Sequence, residues 1–146
     1  MSNMQSAIQP YLFFGGRCQE ALDHYRDALG AQVDMVVRFD QSPDPVPEGM
    51  LAPGFEKKVM HSAFRVGGNT ILASDGCTEA DGAEHKGFSL ALSVAIEGEA
   101  HRAFDALADG GEVQMPLGQT FWSPCYGMLK DRFGVHWMVM VPGSSP

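Results

Sequence analysis

The run Cys125-Tyr126-Gly127-Met128-Leu129-Lys130-Asp131-Arg132-Phe133-Gly134-Val135-His136-Trp137-Met138-Val139-Met140-Val141 decides how the rest of the chain is read. Cys125 to Lys130 and Val135 to Val141 are rich in aromatic and aliphatic residues and read as two strands. Asp131-Arg132-Phe133-Gly134 reads as the hairpin turn between them. Moving toward the N-terminus, Glu112 to Met115 is a short strand, and Pro116-Leu117-Gly118-Gln119 leads into Thr120-Phe121-Trp122, an aromatic strand or loop. Glu99 to Asp109 carries Ala100, Ala103, Phe104 and Leu107 at helical spacing and stops at Gly110-Gly111. Phe88 to Ile96 is a strong strand. The second half thus reads strand, helix, three strands.

The first half repeats that order without repeating the residues. Ile8 to Phe14 predicts a strand ending at Gly15-Gly16, and Cys18 to Leu29 a helix with Gly30 as its C-cap. Gln32 to Phe39 returns to strand character. Ser42-Pro43-Asp44-Pro45-Val46-Pro47-Glu48-Gly49 cannot continue it, because prolines fix φ and remove donors. The loop 41–56 is read as a cover for a pocket or as dressing for a dimer rim. Lys58 to Val66 and Thr70 to Asp75 predict a hairpin around Gly67-Gly68-Asn69, and a polar divide follows near Ala80 to Lys86. The expectation is an α+β protein made of two βαβββ modules, about 6–80 and 86–142, in one domain spanning 6–142. Pairing the modules would bury one face of each and leave a concave curved sheet as the natural pocket.

With 146 residues, 45% of them hydrophobic and 19% charged, the chain is long enough and apolar enough for a packed core. Eighteen acidic against ten basic residues give a net charge of -8, and the basic residues are scattered. No clustered face exists to neutralise phosphates, so no nucleic-acid partner is expected. The apolar runs are too short for a bilayer span, and Met1 to Gln5 has no signal-peptide character, so no membrane association is expected. Cys18, Cys77 and Cys125 are odd in number and far apart, which argues for free thiols in a reducing cytoplasm.

Several segments together carry a family resemblance: Ile8-Gln9-Pro10-Tyr11-Leu12-Phe13-Phe14, Ala21-Leu22-Asp23-His24-Tyr25, Met60-His61-Ser62-Ala63-Phe64-Arg65-Val66-Gly67, Ile71-Leu72-Ala73-Ser74-Asp75, and above all Tyr126 to Trp137. From about Ser6 to Val141 the chain resembles the PhnB-like branch of the glyoxalase/bleomycin-resistance/dioxygenase (vicinal oxygen chelate) superfamily, a branch sometimes labelled 3-demethylubiquinone methyltransferase-like. The resemblance implies paired βαβββ modules and a homodimer. In the superfamily's enzymes it also implies four divalent-metal ligands from His, Glu or Gln. Here those positions fall at Gln9 or Pro10, at Leu72, at Ser89 and at Met138. Gln9 and Ser89 are weak neutral donors, Leu72 has none, and one thioether is not a site for a hard cation. A one-residue shift offers only Ile71 or Ala73 and Trp137 or Val139. No metal and no other cofactor is therefore expected. The methyltransferase label finds no glycine-rich strand-to-helix turn to support it.

Of the remaining polar residues, His61 is the leading candidate, as a base, as a ligand-orienting donor, or as a structural histidine bonded within the sheet. Across the hairpin it is expected near Ser74 or Asp75. Asp75 is a candidate base or a turn residue. Asp131 is read as structural. Phe121, Trp122, Tyr126 and Trp137 form an aromatic group, with Trp122 either in the pocket or in the core. His24 reads as solvated and Cys125 as a small buried hydrophobe. The expected contacts are thus Gln9, His61, Leu72, Ser89, Trp122 and Met138, holding a small apolar or aromatic molecule without a metal. The alternatives are a metal-independent isomerase or lyase using His61, and a degenerate structural or partner-binding member.

Overall fold

The computed structural model describes residues 6–82 and 84–143. The N-terminal stretch 1–5, residue 83 inside the polar divide, and the tail from 144, for which the sequence predicts fraying, lie outside the described residues. Two compact units divide the chain, the first running to Gly82 apart from Asp27–Leu29 and the second from residue 83 onward. Among the described residues no helix is long and apolar enough to cross a membrane.

In the first unit the strands are β1 (Tyr11–Phe13), β2 (Gln32–Arg38), β3 (Val59–Val66) and β4 (Asn69–Ser74), with helix α1 (Cys18–Leu29) after β1. They form a four-stranded sheet in the order β1-β4-β3-β2. β1 runs parallel to β4, and the other pairs are antiparallel. The second unit repeats this with β5 (Leu90–Ser93), α2 (Glu97–Ala108), β6 (Glu112–Gly118), β7 (Cys125–Lys130) and β8 (His136–Val141), in the order β5-β8-β7-β6. Each unit is therefore one βαβββ module, as the order of hydrophobic segments predicts, and each builds its own sheet.

The helices form where the apolar residues share one face. Cys18, Ala21, Leu22 and Tyr25 of α1 are all buried, and so are Ala100, Ala103, Phe104 and Leu107 of α2, the same i, i+3, i+4, i+7 stripe in both. In the first unit Tyr25 stacks on Phe64 of β3 with ring centroids 5.6 Å apart. Leu12, Ile71 and Ala73 are buried as well, and β1 and β4 bring Leu12 opposite Ala73 while β3 and β4 bring Phe64 opposite Ile71. Each large side chain buried in this way contributes roughly 1.5–3 kcal/mol. In the second unit Gly127 faces Phe104, where an added Cβ would lie 2.9 Å from the ring, so only glycine lets β7 pack this close to α2. Leu129, Trp137, Val139 and Val141 complete that covered face.

Several boundaries differ from the sequence expectation. β1 is only three residues long, because Pro10 has no N–H to extend the ladder, although its carbonyl still accepts from Leu72 N–H at 2.9 Å. β6 runs through Pro116 to Gly118, beyond the predicted end at Met115, and it can do so because it is the edge strand of its sheet. α2 begins at Glu97 and β5 spans only four residues. In β3 the pairing Val37 with His61 and Arg38 with Val59 inserts one extra residue, Met60. That bulge lets Val59 turn to the covered side while His61 stays on the open one.

One buried side chain joins three of these elements. Arg17, at the N-cap of α1, makes no side-chain capping bond. Asp75, immediately after β4, takes that role from 57 residues away. Its Oδ1 accepts from Gly16 N–H and Cys18 N–H, each at 2.7 Å, and its Oδ2 accepts from Val59 N–H at 2.8 Å. The carboxylate also meets the positive end of the helix dipole. Gly15 and Gly16 have φ of +58° and +110°, which only glycine adopts freely, and this turn aims the two N–H groups at Asp75. Asp131 plays a similar part in the second unit, accepting from Phe133 N–H, Val135 N–H and Trp137 Nε1–H at 2.9, 3.0 and 2.9 Å. Replacing Asp75 with alanine leaves three backbone donors unmet, two of them buried. We expect Asp75→Ala to lower unfolding stability by about 2–4 kcal/mol, read as a shift in the urea midpoint; a loss below about 0.5 kcal/mol, the range of ordinary surface substitutions, would remove the tie.

Candidate functional site

Because α1 covers one face of the first sheet, strand alternation sends the intervening side chains to the other. That open face carries Tyr11 and Phe13 from β1, Leu72 from β4, and His61, Ala63 and Arg65 from β3, with Leu72 opposite both Tyr11 and Ala63. Tyr11 and Phe13 stack with centroids 5.0 Å apart, and each keeps 41% of its surface exposed. Tyr11 Oη lies 3.0 Å from His61 Nδ1. Which of the two donates depends on the imidazole tautomer. Burial, reinforced by the Cys18 thiol, pushes the Tyr11 phenol above its ordinary range, and a hydrogen bond with Ser74 opposes the shift. The phenol therefore stays protonated at neutral pH beside the His61 imidazole. This donor–acceptor pair can orient a carbonyl or hydroxyl, or pass a proton.

Arg65 shares the face, but its charge is already committed. Its Nε and Nη2 donate to the two carboxylate oxygens of Asp34 at 2.8 and 3.0 Å, and Nη2 also donates to Gln32 Oε1 at 2.6 Å. The guanidinium in turn holds the Asp34 carboxyl below the usual carboxylate range. A bidentate pair of this kind leaves little to recruit an anion.

The other sequence candidates separate clearly. Asp75 is buried, both its oxygens accept from backbone N–H groups, and His61 pairs with Tyr11. Ser74 lies at the same sheet end and donates to the Val59 carbonyl at 3.3 Å. Gln9 is exposed before β1, and Ser89 lies one residue before β5. Met138 is on the open face of the second sheet, opposite Ala91 and Met128. Trp122 is 49% exposed beside the fully exposed Phe121, with its ring edge-on to Tyr126 at 5.4 Å, on a turn that Thr120 Oγ1 holds by accepting from Trp122 and Ser123 N–H. Trp137 is core, tied to Asp131. His24, expected to be solvated, is half-buried with its ring 5.8 Å from that of Tyr25.

The sequence reading missed Tyr11. Alternation in Tyr11-Leu12-Phe13, with Leu12 buried, is the signal that would have placed it on the face of His61.

The residues present do not fit a divalent metal centre. Among the described residues no group of three or more His, Cys, Asp or Glu side chains stands close enough to hold an ion. At Leu72 and Met138, two of the positions where the resemblance implies ligands, neither side chain offers oxygen or nitrogen to a hard cation.

The two βαβββ modules, each with a helix on one sheet face, define a member of the glyoxalase/bleomycin-resistance superfamily, in its PhnB-like branch. More specifically, residues 6–140 match the family described as 3-demethylubiquinone-9 3-methyltransferase, and the chain belongs to that family. It is 33% identical to the protein YjdN of Escherichia coli K12, over 95% of this chain and 97% of that one. Among solved structures it is similar to protein PA1353 from Pseudomonas aeruginosa, with 41% identity and a TM-score of 0.82, covering 96% of this chain and all of that one. It is also similar to the PhnB protein of Bacillus cereus, with 26% identity and a TM-score of 0.71, covering 93% and 99%.

The thiols stay outside this chemistry. Burial raises Cys18 from its ordinary 9.0 to about 12, and burial raises Cys125 too. Cys18 is fully buried and Cys77 only partly so. The unfolded thiol ionises above pH 9 while folded Cys18 keeps its proton, so its contribution to stability is intact below pH 9 and declines from there toward 12. Iodoacetamide at pH 8 should label Cys77 first and spare Cys18 and Cys125 until the protein unfolds, as peptide mass spectrometry would show. Early labelling of Cys18 would contradict the burial.

Proposed function

We propose that this protein binds a small apolar or aromatic molecule against the open face of its first sheet, without a divalent metal. The Tyr11–His61 pair carries the proposal: a polar couple at 3.0 Å set among the apolar Phe13 and Leu72. Such a setting, mostly apolar with few convergent polar groups, is the usual make-up of a ligand site. In this reading Phe13 and Tyr11 stack the ligand, His61 orients it, and Leu72 and Gln9 fill or border the contact. The second sheet offers Met138, with Trp122 beside Tyr126, as further apolar contacts of its own, and Ser89 as a polar one. The same reading takes 6–142 as one domain working as a homodimer in the cytoplasm, on the strength of the family resemblance and the free thiols.

A second reading follows from the same pair. A protonated phenol next to an imidazole gives two groups able to move a proton at one atom, as a metal-independent isomerase or lyase requires. In that reading His61 is the base and Tyr11 the acid, and Asp75 takes no part.

Thermal-shift screening of flat aromatic compounds, hydrophobic antibiotics and small electrophiles tests both readings. Hits on the native protein should bind about 3–10-fold more weakly to Tyr11→Phe and His61→Ala, the loss of one hydrogen bond. Identical hits and affinities in the two variants would move the ligand off this face. A screen with no hits would favour a structural or partner-binding member. Exchange of a carbonyl compound's α-hydrogen for solvent deuterium, lost in His61→Ala, would select the catalytic reading.

A further inference from the structure

The open face of the second sheet is built differently from that of the first. One rung across it reads Ala91, Met138, Met128, Met115, because β5 pairs Ala91 with Met138, β7 pairs Met128 with Met138, and β6 pairs Met115 with Met128. Met140, two residues along β8, lies on the same face. The alternation is fixed from the other side: Gly127 and Leu129 of β7 and Trp137, Val139 and Val141 of β8 are buried under α2, so Met128, Met138 and Met140 point away from it. All three are half-buried and Met115 is 42% exposed. Four of the chain's nine methionines thus gather on one sheet face, three of them side by side on adjacent strands.

Directly opposed residues on neighbouring antiparallel strands have Cβ atoms about 4.5–5.5 Å apart. A methionine side chain has three rotatable bonds, so three sulfurs starting from such a rung can converge on one point above the central strand. Thioethers are soft, uncharged donors that select Cu(I) over hard divalent ions. The flanking groups do not compete. His136 Nδ1 is held 3.3 Å from Gln114 Oε1, and Cys125 lies on the covered face.

We propose that Met115, Met128 and Met138, with Met140 beside them, form a binding site for a soft monovalent cation of the Cu(I) type. The site belongs to the second sheet alone and needs neither Tyr11 nor His61, so it stands or falls separately from the ligand reading of the first sheet.

Ag(I), a redox-stable stand-in for Cu(I), is titrated into Cys77→Ser protein whose methionine methyl groups are carbon-13 labelled. One equivalent should shift the methyl resonances of Met115, Met128 and Met138 and leave Met35 and Met60 in place. Met128→Leu and Met138→Leu, near-isosteric changes that keep the fold, should each weaken binding at least about tenfold, or about 1.4 kcal/mol. Met35→Leu should change nothing. A thioether has no proton to lose, so the affinity should be flat between pH 5 and 8, whereas a histidine or thiolate site weakens toward acid. Three results would each overturn the proposal. These are absence of methyl shifts at one equivalent, unchanged affinity in both leucine variants, and affinity that falls steeply below pH 6.

Discussion

The carboxylate of Asp75 is the point on which the first module depends. A helix that opens at Cys18 without a side-chain cap presents unmet N–H groups, and the glycine turn before it presents one more. The start of β3 adds a third at Val59. A single buried carboxylate accepts from Gly16, Cys18 and Val59 N–H, at the mouth of a helix whose dipole favours negative charge. This ties the end of β4 to the start of α1 and to the start of β3. It thereby fixes which face of the sheet α1 covers and which is left for chemistry. Asp131 does comparable work at the β7–β8 turn, where it joins two backbone donors to the Trp137 indole.

Once the covered faces are set, the rest follows from the two-residue period of a strand. Every side chain that packs under α1 or α2 sends its neighbours outward. On the first sheet those neighbours are two stacked aromatics, a histidine and an arginine already matched by Asp34. On the second they are chiefly methionines. The same architecture thus carries two chemically distinct surfaces. Leu72 and Met138, where the resemblance implies metal ligands, stand on these open faces. A fold can keep its ligand-holding geometry while the donors themselves are replaced, and activity has to be argued from the residues that stand there.

Helix stripes at Ala21, Leu22 and Tyr25 and at Ala100, Phe104 and Leu107, the glycine stops at Gly30 and Gly110, and the two hairpins were all legible, because each is a local periodicity or a local turn rule. Less legible were ends governed by neighbours. β6 continues through Pro116 because it is an edge strand, and β3 carries the extra Met60 because Val59 and His61 serve opposite faces.

By itself, then, the sequence determined the order of elements and the core stripes, and it offered His61 as a polar candidate. Only the tertiary structure decided the partners. It set His61 against Tyr11, 50 residues away, withdrew Asp75 into the helix-covered side, and lined Met115, Met128 and Met138 into one rung. The physical reason is register. Periodicity tells which residues share a face of one strand, but cross-strand neighbours are fixed by hydrogen-bonded pairing between segments far apart in the chain, and a single bulge or a one-residue slip exchanges them.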